Sequence, residues 1–181
     1  MSVDHRVSMP LAVERRTNAA CAGPLKGEVE QFLYRQSECL DTRDWDGWLD
    51  LFAPNGLYWI PAHPEDPSPD GRPSICCEDR YLMRTRVKRL CNPKAWSQLP
   101  PHRTSHVVSN ISIVDDGDES GFIITQSRFH MVELRWDKQR YMAGRYRHRF
   151  VRLDSGLKID LQRVDLLNYD APLDYVLQSW V

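Results

Sequence analysis

The spacing of apolar positions changes along the chain, from three or four residues in the first half to two in the second. From Glu28, Val29, Phe32, Leu33 and Leu40 fall mostly on one helical face. Asp44 stands where it can cap a second helix carrying Trp45, Trp48, Leu49 and Phe52. "APNG", Ala53 to Gly56, predicts the end of that helix, and "LYWIP" predicts a short aromatic strand after it. Five prolines from Pro61 to Pro73, with Asp66, Asp70 and Gly71, predict a long loop that either has a function or meets a partner. "CEDRYLMRTRVKRL", Cys77 to Leu90, predicts a third helix, with Glu78 and Asp79 at its positive end and Lys88 and Arg89 at its negative end.

From His106 the period is two, in runs near 106–114, 121–134, 140–152 and 157–168, separated by the turn sequences "DDGDES", "RWDKQ" and "LDSG". An antiparallel meander follows. In its third run Met142, Gly144, Tyr146, His148 and Phe150 share one face, and Arg145, Arg147 and Arg149 share the other. In the last run Leu157, Ile159 and Leu161 give way to Val164 and Leu166, a change of parity that predicts a bulge near Gln162. Helices first and a curved antiparallel sheet afterwards predict one α+β domain over residues 25–181, preceded by a flexible arm over 1–24 that orders on a partner.

Composition narrows the function. The chain has 181 residues, close to the size of one domain, and 41% of them are hydrophobic, enough for a core without staples. With 24 Lys plus Arg against 25 Asp plus Glu, it has no global field to gather nucleic acid or an anionic membrane. No run approaches the ~20 apolar residues of a membrane span. The first residues lack the apolar segment of a secretory signal, and Arg15-Arg16 is followed by "TNAACAGP" where a twin-arginine signal would be apolar. Five cysteines with no C-x-x-C pair fit a reduced, cytoplasmic protein.

Candidate chemistry is sparse. In "PPHRTSHVVSN", His102 and His106 are four apart, which on a helix would aim two imidazoles at one metal. Tandem prolines oppose a helix there, and on a strand four residues span about 13 Å, too far to share an ion. Only with His102 in the loop could the chain curl back; otherwise the pair marks the start of the sheet. Neither H-E-x-x-H, paired C-x-x-C nor the Cys and His pairs of a Rieske cluster occur. An iron site of two His and one carboxylate could be assembled from His106, His130, His148 and an Asp, but no spacing selects it. Glycine-rich phosphate loops and the G-x-S-x-G elbow are also absent.

What remains is acid–base chemistry in a cavity between helices and sheet, with Tyr146 and His148 on one face and Arg128 and His130 at a common parity on the neighbouring strand. The plainer expectation is that these groups satisfy one another or water. For the arginine face an interface is preferred over bare solvation, since a row of guanidinium groups seeks carboxylates. Charge reversal at Arg147 is then expected to weaken assembly and leave the domain folded.

Taken together, "FLYRQSECLDTRDWDGWLDLFAPNGLYWIPA" (Phe32 to Ala62), "RTSHVVSNISI" (Arg103 to Ile113) and "MAGRYRHRFVRLDSGLKIDLQRVDL" (Met142 to Leu166) resemble the small, or beta, subunit of bacterial aromatic ring-hydroxylating dioxygenases. The resemblance runs from about Val29 to the end of the chain and implies a cone-shaped fold like that of nuclear transport factor 2. It implies a non-catalytic, assembly-supporting subunit of an oxidoreductase of aromatic compound catabolism, with no catalytic, cofactor or metal residues of its own. The Rieske [2Fe-2S] cluster and mononuclear iron are expected in a partner alpha subunit, and the beta chains are expected as a homotrimer within an α3β3 hexamer. His106, Arg145, Arg147 and Arg149 are the interface candidates. The alternative is a free-standing dehydratase or isomerase of the same fold. Relatives often read "YDDR" where this chain has Cys77-Glu78-Asp79-Arg80, and the N-terminal arm has no counterpart.

Overall fold

The computed structural model describes residues 22–172 and 176–181. Of the expected arm, residues 1–21 lie outside the described residues, while Ala22 to Pro24 begin the first helix, α1 (Ala22–Thr42). Next come α2 (Trp45–Asp50), β1 (Phe52–Pro61), β2 (Ser74–Asp79) and α3 (Arg80–Leu90). A short 3-10 turn at Trp96–Gln98 leads to β3 (Arg103–Asp115), β4 (Ile123–Arg135), β5 (Lys138–Leu153) and β6 (Gly156–Leu166). The six strands form one sheet in the order β2-β1-β6-β5-β4-β3, antiparallel except where β1 runs parallel to β6. The expected α+β architecture, helices on a curved sheet, is what the chain adopts.

Two sequence expectations change. The third helix begins at Arg80, because Cys77–Asp79 pair with β1 as the end of β2. A free sheet edge satisfies those backbone groups, while the Asp79 carboxylate accepts from the Leu82 N–H at 2.8 Å and caps the helix behind it. Nor does "APNG" separate a helix from a strand. It lies inside β1, whose register against β6 shifts between Phe52 and Leu57. Gly56 permits that irregular crossing, since a Cβ there would stand 2.7 Å from the Ile159 carbonyl oxygen. The bulge in the last strand falls at Asp160, two positions before Gln162: Arg149 faces Leu161 and the next residue, Phe150, faces Ile159.

Cross-strand partners define the two faces. On the inner face Thr125, His148, Gln162 and Tyr58 lie side by side, and Ser127, Tyr146 and Val164 form the neighbouring row. Helices α1 and α2 close over this side, and Val29, Leu33, Trp48 and Phe52 join Phe129, Phe150 and Ile159 in the main core. The outer face is covered on one side only. There the proline-rich loop crosses β1 and β6 above the wholly buried Arg163, whose guanidinium donates to the Pro64 and Asp66 carbonyls and sits 4.7 Å over the Trp59 ring. The loop lies outside the ladders of the sheet, so its backbone carbonyls can serve this buried cation.

Candidate functional site

Around His148 the inner face is filled by the chain's own side chains. His148 has no exposed surface and no hydrogen-bond partner on either ring nitrogen. Its ring lies parallel to Phe150 at 5.2 Å and edge-on to Tyr146 at 5.7 Å, while Tyr146 stacks on Phe129 at 4.1 Å. Burial pushes the His148 pKa down to about 3 and lifts that of Tyr146, so both stay neutral. The ladder neighbours of His148 are Thr125 and Gln162, with no carboxylate to orient it, and Gln162 accepts from the Gln36 amide of α1 at 2.6 Å. Arg128 and His130 share a parity as expected, but it is that of the opposite, outer face.

At one side of the inner face the last residues fold into the core. Trp180 stacks on Trp48 at 3.9 Å and meets Trp45 edge-on at 5.9 Å. Its indole N–H donates to Glu78 at 3.0 Å, and the Tyr58 hydroxyl bridges the Val181 N–H and carbonyl at 3.1 and 3.2 Å. Glu78 is also the ion-pair partner of Arg86, which donates to the Leu177 carbonyl at 3.0 Å. Periodicity carried no hint of this, because residues 176–181 belong to neither helix nor strand.

The two histidines of "PPHRTSH" serve different neighbours. His106 Nδ1 lies 2.6 Å from Asp41 Oδ1, and the same carboxylate accepts from the His106 N–H and the Thr104 hydroxyl, each at 2.8 Å. Burial works to raise the Asp41 pKa, but the hydrogen bonds from His106 and Thr104 outweigh it and hold it below the usual carboxylate range. The contact ties the end of α1 to β3, and the His106 side chain is only 1% exposed. His102 lies beside Trp45 instead, with ring centres 6.4 Å apart, and burial, then the charges of Arg43 and Arg135, lower its pKa to about 4. Among the described residues no cluster of three His, Cys, Asp or Glu is placed to hold a metal ion.

The arginines of β5 also separate. Arg147 is 5% exposed and shares Asp165 with Arg163, at 3.3 and 2.7 Å. Burial lowers its pKa, and the charges of Arg163 and Arg145 add to that against the pull of Asp165. Charge reversal at Arg147 would bury a carboxylate beside Asp165 and so disturb the fold, which removes it as a surface probe. Arg149 pairs with Asp160 at 2.6 Å and lies 5.0 Å over the Phe122 ring. Arg145 is partly exposed, directly across the ladder from the exposed Arg128.

The profile of the ring hydroxylating beta subunit family matches residues 35–170. The chain belongs to that family. Among curated relatives of this beta subunit, the small oxygenase component of the p-cumate 2,3-dioxygenase system of Pseudomonas putida is 32% identical over 74% of this chain and 74% of its own length. The anthranilate 1,2-dioxygenase small subunit of Acinetobacter baylyi is 30% identical over 81% of this chain and 93% of its own. Among solved structures, the beta subunit of benzoate 1,2-dioxygenase from Burkholderia mallei superposes with a TM-score of 0.65 at 23% identity, covering 90% of this chain and 99% of that one. Naphthalene 1,2-dioxygenase with indole bound gives 0.71 at 15% identity, over 93% and 87%. These structural likenesses carry the fold.

The departure at Cys77–Arg80 is legible in this beta subunit's geometry. Glu78 anchors Arg86 and Trp180, Asp79 caps α3, and Arg80 donates to the Phe52 carbonyl at 2.9 Å. All three charged residues are used inside the chain. Cys77 is exposed at the sheet edge and takes no part.

Proposed function

We propose that this beta subunit is the non-catalytic component of a multicomponent aromatic ring-hydroxylating dioxygenase and supports the assembly of an iron-bearing alpha subunit. The observation that carries the reading, beside family membership, is the closed packing around His148. His148 is neutral, wedged between aromatic rings and without a carboxylate, and the chain's own Trp180 and Val181 occupy the adjoining core. A dehydratase or isomerase needs a base, a partner to orient it and room for substrate. Among the described residues His148 has no orienting carboxylate and is enclosed by aromatic rings, and the pocket of about 250 Å³ beside Tyr58, Cys76 and Arg86 is lined by no histidine or carboxylate, so the free-standing cavity enzyme is the weaker reading.

In the complex, the Rieske [2Fe-2S] cluster and mononuclear iron of the alpha subunit supply the activation of O₂, and this chain supplies rigid surface. Three such chains beneath three alpha subunits make the expected α3β3 unit. A reducing, cytoplasmic setting agrees with the free thiols of Cys39, Cys76, Cys77 and Cys91.

Metal analysis and turnover test the proposal. Purified alone, the chain is expected to contain no stoichiometric iron and to oxidise no arene in a panel that includes benzoate. Coexpressed with the Rieske-bearing subunit, it should co-sediment with it. Stoichiometric iron together with arene oxidation by the isolated chain would overturn the reading.

A further inference from the structure

At the β1–β2 end of the sheet the chain leaves open a recess of about 250 Å³, bounded by β1, β2, α3 and residues 176–179. Ile60, Ile75, Val176, Leu177 and the Tyr58 ring form its apolar walls. The outer wall is pinned by polar contacts to its main chain. Arg86 of α3 donates to the Leu177 carbonyl at 3.0 Å and to that of Gln178 at 3.5 Å, while the Tyr58 hydroxyl bridges the Val181 N–H and carbonyl. The Gln98 amide adds a bond to the Gln178 side chain at 2.6 Å. These bonds set the distance of residues 176–179 from the sheet, so the wall cannot close on the recess without breaking them.

The polar groups around the recess are already matched. Arg86, its cation, is paired with Glu78, to which its Nε donates at 2.8 Å. Cys76 Sγ lies 3.7 Å from Arg86 Nη2, and burial, then the charge of Glu78, lifts its pKa to about 12, so it stays a neutral thiol. What faces the space is that thiol and the Ser179 hydroxyl, itself 3.5 Å from the Trp180 carbonyl. An enclosed water needs about two to four polar partners, and a thiol is a weak one. A charged ligand would lose its hydration and find no free counter-charge. An apolar molecule loses nothing of that kind, and apolar walls favour it. Since an apolar cavity of roughly 150 Å³ takes a benzene-sized guest, this recess has room for one ring with a short substituent.

We infer that this recess is a binding site for a neutral, apolar molecule of single-ring size, held between Ile75 of β2 and Val176 and Leu177 of the C-terminal segment. Because neither histidine nor carboxylate lines it among the described residues, the site binds without turning its ligand over. An occupant touches the sheet on one side and residues 176–177 on the other, so binding fastens the C-terminal segment to the sheet. The inference goes beyond the assembly reading and does not depend on it.

Toluene is the probe, titrated into the full chain carrying isotope-labelled methyl groups, with benzoate as its charged counterpart. Toluene is expected to shift the methyl resonances of Ile60, Ile75, Val176 and Leu177 saturably, with a dissociation constant on the order of 1 mM or below. It should also slow amide exchange at Leu177 and Gln178 several-fold. Benzoate should bind at least about tenfold more weakly. Ile75→Trp, which fills the recess, should weaken toluene binding by about tenfold or more. A second readout serves if that variant does not fold: in a Cys77→Ser background, saturating toluene should slow the alkylation of Cys76 by iodoacetamide. Shifts that do not saturate, or that centre on other methyl groups, overturn the proposal. So does unchanged binding by a folded Ile75→Trp, or alkylation of Cys76 at the same rate with and without toluene. Benzoate binding as tightly as toluene would overturn the neutral, apolar class of ligand, and with it the proposal.

Discussion

His148 and His102 make acid sensitivity a property of single residues. Both have folded pKa values, about 3 and about 4, below the ordinary 6.5. Below pH 6.5 the unfolded chain takes up protons that the folded chain refuses, so stability present above 6.5 falls as the pH drops towards those folded values. The urea midpoint should therefore decline from pH 7 to pH 5. His148→Phe, which keeps a flat ring against Phe150 and removes two nitrogens that bond to nothing, should be neutral or stabilising at pH 7 and should flatten that decline. Equal slopes in the two proteins would show that His148 does not remain neutral inside. At this scale the sequence is legible only in part. Parity correctly placed Tyr146 and His148 together, but Asp41 as the partner of His106 had no local signal, because the two are 65 residues apart.

Elements were read well where local pattern and tertiary demand agree. The four meander strands appear within a few residues of their expected ends, since alternation is enforced by a sheet with one buried face. The failures were at the other edge. Cys77–Asp79 carry helix-compatible residues, yet the exposed edge of β1 offers backbone hydrogen bonds that a helix start would leave unmade. Strand β5 shows a further dependence on its neighbours. A Cβ at Gly144 would stand 2.1 Å from the Asp165 carbonyl oxygen and 2.9 Å from the Phe129 ring, so β5 and β6 can pair here only across a glycine. Gly144→Ala should cost about 3 kcal/mol by overpacking, read as a lower urea midpoint with an unchanged slope. A loss under half a kcal/mol would mean that the strands separate more easily than this geometry implies.

For the whole molecule, the C-terminal residues are core rather than tail. Trp180→Ala removes the ring stacked on Trp48 and leaves Glu78 without its indole donor, and should cost about 3–5 kcal/mol. A fall in thermal midpoint with loss of near-ultraviolet dichroism would report it. An unchanged midpoint would mean that residues 176–181 do not contribute to the core. The sequence by itself determined the class of fold, the number and kind of the later strands and the family, because hydrophobic period and motif wording are local properties of a chain. Only the tertiary structure decided which face each parity meets, that the proline loop lies over Arg163 on the outer face, and that Arg147 is internal while Arg145 looks outward. Those are outcomes of contacts between residues far apart in the chain, and pairing across such distances leaves no trace in spacing.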